Sequence, residues 1–130
     1  MKKVLNWLSI PLISFMILGA MPTWAESLTG PQKHAVRSAK QYLSFQGFSR
    51  DGLIDQLSSA YGDGYEVADA TVAVDSLNID WNKQAVKSAK NYLSFQGFSC
   101  KGLIQQLSSS YGDKYTVSQA TYGAQRAGAC

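Results

Sequence analysis

Residues that build catalytic and metal sites are scarce in this chain. Its 130 residues include a single histidine, His34, and only two cysteines. No paired histidines, no cysteine-rich metal spacing and no glycine run of the phosphate-binding kind occur. We therefore expect no metal site, no cofactor and no enzymatic activity, with His34 an ordinary surface residue of a helix.

A strong charge is also missing once the N-terminus is set aside. Residues 26–130 carry 10 basic and 9 acidic side chains, a net charge of +1, which gives no reason to expect nucleic-acid binding. The charge is unevenly spread, because residues 31–77 carry 4 basic and 6 acidic groups and residues 80–130 carry 6 and 2. The two halves then present different surfaces to partners or attract each other, although neutral drift of solvated residues explains the difference equally well.

The first 25 residues have the layout of a secretory signal peptide. Two lysines precede a mostly apolar stretch, residues 4–20, and Thr23 and Ala25 occupy the −3 and −1 positions of a cleavage site. The alternative is an uncleaved membrane anchor, but this stretch contains Pro11 and is shorter than the roughly 20 residues of a spanning helix. We predict export, with cleavage after Ala25 and a final location in the periplasm, at the cell envelope or outside the cell.

An internal duplication organises the rest of the chain. Residues 31–73 align with residues 81–123 at a fixed offset of 50, without a gap, and are identical at 28 of 43 positions. Such self-similarity identifies a tandem repeat. Because units of this size are marginally stable alone, we expect the two repeats to pack on each other. The predicted division is a signal peptide at 1–25, repeat 1 at 31–77, repeat 2 at 80–123 and a C-terminal tail at 124–130. We expect residues 122–130, which are rich in small side chains, to fray.

The pattern of apolar residues predicts three short helices in each repeat. The helices are joined by tight turns, so the fold class is all-α with two helix-turn-helix-like units. We expect Gly47 to end the first helix in the left-handed conformation. Phe45 and Phe48, on either side of this turn, are both expected to pack in the core. Gly52 inside the second helix predicts a close crossing of the first two helices.

The two cysteines, Cys100 and Cys130, both lie in the second half of the chain. In an exported protein an even number of cysteines favours a disulfide, which here joins the tail to the start of a helix. Free thiols and an intermolecular bond through Cys130 stay open, because the sequence does not give the Cα separation that a disulfide requires.

Two groups of charged residues are candidates for a partner-binding surface. The first consists of two basic stripes, one on the first helix of each repeat, and each is suited to an acidic partner or to anionic lipid headgroups, or is an ordinary solvated face. The stripes are Lys33, Arg37 and Lys40, and Lys83, Lys87 and Lys90. The second group marks positions where the copies differ in charge, at which we expect specificity to lie. These are Arg50, Asp51, Asp55, Glu66, Asp69 and Lys101.

One block occurs in both repeats and is specific enough to compare with known families. It reads Ser-Ala-Lys-x-Tyr-Leu-Ser-Phe, followed by Phe-Ser-x-x-Gly-Leu-Ile-x-Gln-Leu. This block resembles the repeat of the host cell surface-exposed lipoprotein (Ltp-type) family, and residues 79–85 resemble that family's inter-repeat stretch. The resemblance covers residues 31–123. It implies small three-helix units and a phage- or prophage-encoded protein of superinfection exclusion, which stops a later phage delivering its DNA.

The resemblance also implies a partner for this chain. We expect a non-enzymatic protein that binds a phage tail component, namely the tape-measure protein, because that component meets the envelope during DNA ejection. The alternative is a structural module that binds the envelope or the cell wall. DNA binding by the helix-turn-helix shape is disfavoured by the export signal. The family name implies a lipidated cysteine after the signal segment; none is present, so a soluble protein in the periplasm or outside the cell fits better.

Overall fold

The computed structural model describes residues 27–130, so the predicted signal peptide and its cleavage site lie outside the described residues. Within that range the chain forms six α-helices and no β-strand, which confirms the all-α prediction. Repeat 1 contains α1, α2 and α3, and repeat 2 contains α4, α5 and α6. The helices are α1 (Gly30–Phe45), α2 (Arg50–Ser58), α3 (Val67–Asp75), α4 (Trp81–Phe95), α5 (Cys100–Ser108) and α6 (Val117–Arg126).

Side-chain caps fix where most of the helices begin. Five of the six helices start after a residue whose side-chain oxygen accepts a backbone N–H three residues on, a contact that stabilises a helix by about 1 kcal/mol. The capping residues are Thr29, Ser49, Asp80, Ser99 and Thr116. Side-chain caps are therefore present in both repeats. The exception is α3, which has no side-chain cap hydrogen bond.

Each repeat has its own small core of alanine, leucine and a few other apolar side chains. The core of repeat 1 contains Ala39, Leu53, Ile54, Leu57, Ala70 and Val74. The core of repeat 2 contains Ala85, Ala89, Leu103, Leu107, Tyr115, Ala120 and Ala124. Small residues let the helix backbones approach closely, and a Cβ added at Gly123 of α6 would lie 2.7 Å from the Ala85 carbonyl of α4.

The two phenylalanines of the first turn have different environments. Phe48 packs on the core of repeat 1, edge-to-face with Tyr42 at a centroid distance of 5.8 Å. Phe45 is 81% exposed, and its counterpart Phe95 is 80% exposed. The prediction that Phe45 enters the core is therefore wrong, because Phe48 packs there instead.

Gly52 serves the cap of its own helix. A Cβ added there would lie 2.9 Å from Oγ of Ser49, the oxygen that accepts the Gly52 N–H at 2.9 Å. Gly102 has the same relation to Ser99. The predicted close crossing of the first two helices is therefore wrong as the reason for this glycine.

Both repeats tie the start of the second helix to the C-terminal side of the third, to its last residue in repeat 1 and to the tail after it in repeat 2. In repeat 1 the Arg50 guanidinium binds Asp75 through two hydrogen bonds of 2.7 and 2.9 Å, which lowers the pKa of that carboxyl. In repeat 2 a disulfide joins Cys100 to Cys130, with a Cα separation of 4.7 Å. The favoured intramolecular bond is thus confirmed. The tail predicted to fray contains the last turn of α6, which ends at Arg126, and is tethered by this bond.

Removing the disulfide should cost more stability than removing the ion pair. The bond closes a segment with a sequence separation of 30, so Cys130→Ser should lower the free energy of unfolding by about 3 kcal/mol. Arg50→Ala should lower it by about 1 kcal/mol or less, because the Arg50 side chain is 42% exposed. Urea unfolding of both variants measures the difference, and equal losses would contradict it.

Candidate functional site

The two repeats meet through a turn of repeat 1 and a face of repeat 2. The turn between α1 and α2, residues 46–49, lies against α4 and against the loop that precedes α6. The Phe48 N–H donates to Oε1 of Gln84 at 3.1 Å, and the Ser49 hydroxyl donates to the carbonyl of Asp113. We call residues 46–49 the docking turn, and the surface around Gln84, Ser88 and Asp113 the receiving face.

Gly47 brings the docking turn into direct contact with the backbone of α4. A Cβ added at Gly47 would lie 2.6 Å from the Gln84 carbonyl oxygen and 2.6 Å from Oγ of Ser88. Gly64 and Gly128 are the glycines of residues 27–130 with positive φ, so the predicted left-handed conformation of Gly47 is wrong. The glycine is needed because the neighbouring helix leaves no room for a side chain.

Charged side chains close the interface at its edges. Lys114 of repeat 2 forms an ion pair with Asp55 of repeat 1. The Lys87 ammonium donates to the Leu43 carbonyl at 2.7 Å. Two candidate partner-binding residues, Asp55 and Lys87, are therefore engaged between the repeats, and the expectation that the repeats pack on each other is confirmed.

The docking turn also changes the electrostatics of the receiving face. The Asp113 carboxylate accepts a hydrogen bond of 2.8 Å from Tyr92. Burial raises the pKa of Asp113, an effect that this bond partly offsets, and burial raises the pKa of Tyr92 to about 12. Asp63 makes the same 2.8 Å bond with Tyr42 in repeat 1 but is exposed. The docked neighbour is therefore what removes water from Asp113.

A basic groove lies on repeat 2, between α4 and α6. We use this name for the open depression of about 530 Å³ lined by the α4 stripe and two α6 side chains. The Arg126 guanidinium lies 4.9 Å from the centre of the Tyr122 ring, a cation–π arrangement. The residues of the groove are Lys83, Val86, Lys87, Lys90, Tyr122 and Arg126.

The sequence pattern predicts the three lysines of the basic groove but does not show that two residues of α6, Tyr122 and Arg126, lie beside them. Tyr122 and Arg126 are four residues apart in a helix, so they share one face, which was the available signal. Repeat 1 has Val72 and Ser76 at the equivalent positions. Its own basic stripe therefore has neither the aromatic ring nor the fourth cation. The side chains of this repeat 1 stripe, Lys33, Arg37 and Lys40, are exposed on α1.

The positions where the repeats differ in charge are not gathered into one site. Arg50 is held by Asp75 and also approaches Asp51 at 3.5 Å. Asp69 accepts a hydrogen bond from the Gln32 side chain at 3.1 Å, which joins α3 to α1. The remaining two, Glu66 and Lys101, are exposed on different repeats. The role of these residues as partner contacts stays a prediction.

The part of the chain that the structure describes contains no cluster of three or more residues suited to a metal ion. His34 is exposed on α1. None of the six helices is both long enough and apolar enough to cross a membrane.

Comparison with known proteins gives two matches that agree with this geometry. The model of a family described as host cell surface-exposed lipoprotein matches residues 31–77 and 80–126, one segment for each repeat. The solved structure of Ltp, a superinfection exclusion protein from the Streptococcus thermophilus temperate phage TP-J34, is 34% identical, with a TM-score of 0.68. The match covers 76% of this chain and 97% of that one. None of the curated proteins compared matches the chain.

The Asp113 carboxyl should report whether the repeats are docked. Gly47→Val places a side chain where the α4 backbone lies, so the docking turn should leave the receiving face and water should reach Asp113. The pKa of Asp113 should then fall towards its ordinary value of 3.8, as measured by NMR titration of the carboxyl carbons. Gly97→Val is the control, because a Cβ at Gly97 meets nothing within 4 Å. An unchanged pKa in folded Gly47→Val would contradict the assignment.

Proposed function

The chain belongs to the host cell surface-exposed lipoprotein family, and we propose that it is a non-enzymatic binding protein of superinfection exclusion. The observation that carries the proposal is the likeness to a phage exclusion protein, whose chain is matched over 97% of its length by 76% of this one. Export or a cell-surface location is what the family description indicates. Cleavage after Ala25 is part of the proposal.

The proposed mode of action is binding to an incoming phage component. Exclusion by binding requires a surface that holds an injected or injecting protein, without chemical turnover. The partner we propose is a phage tail component, and specifically the tape-measure protein, because it meets the envelope during DNA ejection. The charge of residues 80–130, with 6 basic and 2 acidic side chains, favours an acidic segment of that partner.

The basic groove is the surface best suited to such a segment. Lys83 and Lys90 are exposed and make no side-chain hydrogen bond or ion pair with residues 27–130. The Tyr122 ring adds an apolar contact of the kind that is enriched at protein interfaces. The cations of the groove should steer an acidic segment towards it, because complementary charge raises the association rate. The aromatic ring then adds an apolar contact in the bound state.

A second candidate function is a structural module that binds the envelope or the cell wall. The basic groove also favours this alternative, since an anionic polymer would satisfy the same cations. Pull-down on isolated envelope and on peptidoglycan separates the two functions. Retention on these fractions without any effect on phage infection would support the structural module.

Phage challenge of cells that express the gene tests the proposed function. We expect normal adsorption and blocked DNA entry for a subset of phages. The double variant Lys83→Glu with Lys90→Glu should restore plating by about tenfold or more, since reversing two groove charges should cost about 1.4 kcal/mol of binding free energy.

The matched control is Lys33→Glu with Lys40→Glu, which makes the same change at the equivalent positions of repeat 1. This variant should keep most of the exclusion. An equal loss of exclusion in both double variants would show that the basic groove is not the partner-binding surface. Unchanged infection by a broad panel of phages in cells that export the unaltered chain would contradict the exclusion role itself.

A further inference from the structure

Each repeat carries both halves of the docking interface, but the chain uses only one of each. Repeat 1 supplies the turn and repeat 2 supplies the face. The second turn, residues 96–99, is left over: Ser49 is 2% exposed whereas Ser99 is exposed. A Cβ at Gly97 would meet nothing within 4 Å, whereas one at Gly47 would collide with α4. We call residues 96–99 the free turn.

Repeat 1 has a matching unused face. It surrounds an open depression of about 510 Å³, and we call it the free face. Its lining residues are Ser38, Gln41, Tyr42, Phe45, Asp63 and Tyr65. At an offset of 50, five of these six correspond to residues that surround Gln46 and Gly47 of the docked turn. Those five are Ser88, Asn91, Tyr92, Phe95 and Asp113.

The free face already has the hydrogen bonds of the occupied one. Ser38 bonds to the Tyr65 hydroxyl at 3.1 Å, as Ser88 bonds to the Tyr115 hydroxyl at 2.7 Å. The Tyr42 hydroxyl donates to Asp63, in the same way that its repeat 2 counterpart does. The free face is therefore preformed, and an occupant would not have to reorganise it.

We propose that the free turn of one chain docks on the free face of a second copy, giving a head-to-tail contact. The occupant is this chain itself because the docking turn that fills the equivalent face, Gln-Gly-Phe-Ser at 46–49, recurs unchanged at 96–99. The contact continues, between molecules, the interface already formed within one molecule. This proposal is independent of the exclusion role.

Most of the polar pairs of the internal interface have a counterpart in the contact between copies. The Ser99 hydroxyl donates to the Asp63 carbonyl of the second copy, as Ser49 does to Asp113. The Phe98 N–H donates to a ring nitrogen of His34, which stands at the position of Gln84. Arg37 replaces Lys87 as the cation that reaches a backbone carbonyl.

One contact of the internal interface has no counterpart between copies, and its absence weakens the association. Asp55 and Lys114, the ion pair between repeats, correspond to Gln105 and Gly64. The two repeats also share a short linker, which gives internal docking a high effective concentration that separate molecules lack. Association between copies is therefore weaker than internal docking and depends on concentration. Because the contact is heterologous, it extends into a row of molecules unless the rotation closes a ring.

Sedimentation equilibrium of the exported chain, purified over a wide concentration range, tests the proposal. The average mass should rise with concentration for the unaltered chain. Gly97→Val should hold the mass at one chain, because the added side chain meets nothing in the single molecule but collides with the second copy. The control is Gly30→Val, at a glycine that is equally open but outside both faces; it should associate normally.

A gain-of-function variant makes the test independent of any loss of folding. Gly64→Lys with Gln105→Asp installs the missing ion pair, and Lys114 already has φ 64° where Gly64 has φ 70°, so lysine fits this backbone. Association should tighten about two- to fivefold, the range for an exposed ion pair. A mass of one chain up to about 1 mM, or association that is unaffected by Gly97→Val, would overturn the proposal.

Discussion

The close approach of Gly47 to the backbone of α4 is the contact on which the arrangement of the two repeats depends. A Cβ at this position would come within 2.6 Å of the Gln84 carbonyl. Because there is none, the docking turn reaches its hydrogen-bond partners, buries Ser49 and shields Asp113 from water. Repeats of about 47 residues bury only a limited fraction of their surface alone, so this contact adds burial that neither unit has by itself.

The sequence predicts the elements well because their signals are local. Caps, turns and apolar spacing lie within a few residues of the feature they specify, and the duplication supplies each signal twice. The even number of cysteines also favours the pair, although only the structure gives its Cα separation of 4.7 Å. Phe45 is different: it lies exposed while Phe48 packs on the core, and the pattern of two phenylalanines around one turn does not distinguish them.

The candidate site was predicted only in part, because identical residues have different environments in the two repeats. Ser49 and Ser99 have the same neighbours in sequence, yet one is buried against the other repeat and one is exposed. The sequence pattern predicts Asp55 and Lys87 as partner contacts, whereas the structure engages both between the repeats. The basic groove depends on how α6 lies beside α4, a relation between distant segments that spacing along one helix does not contain.

The helix α4 contributes both to the interface between the repeats and to the basic groove. Its inner face packs in the core of repeat 2, one side receives the docking turn, and another side carries the lysines of the basic groove. Lys87 belongs to both surfaces, since it lines the groove and donates to the Leu43 carbonyl. Through Lys87, repeat 1 is in direct contact with the basic groove that is proposed to bind a partner.

Hydrogen exchange of two backbone amides tests the docking of the repeats most directly. Phe48 and Phe98 lie in identical pentapeptides, so their intrinsic exchange rates are the same, but only the Phe48 N–H donates to the other repeat, at 3.1 Å from Gln84. In dilute solution, where the chain is a single molecule, the Phe48 amide should exchange at least about tenfold more slowly, equivalent to about 1.4 kcal/mol. Equal rates for the two amides would contradict the account.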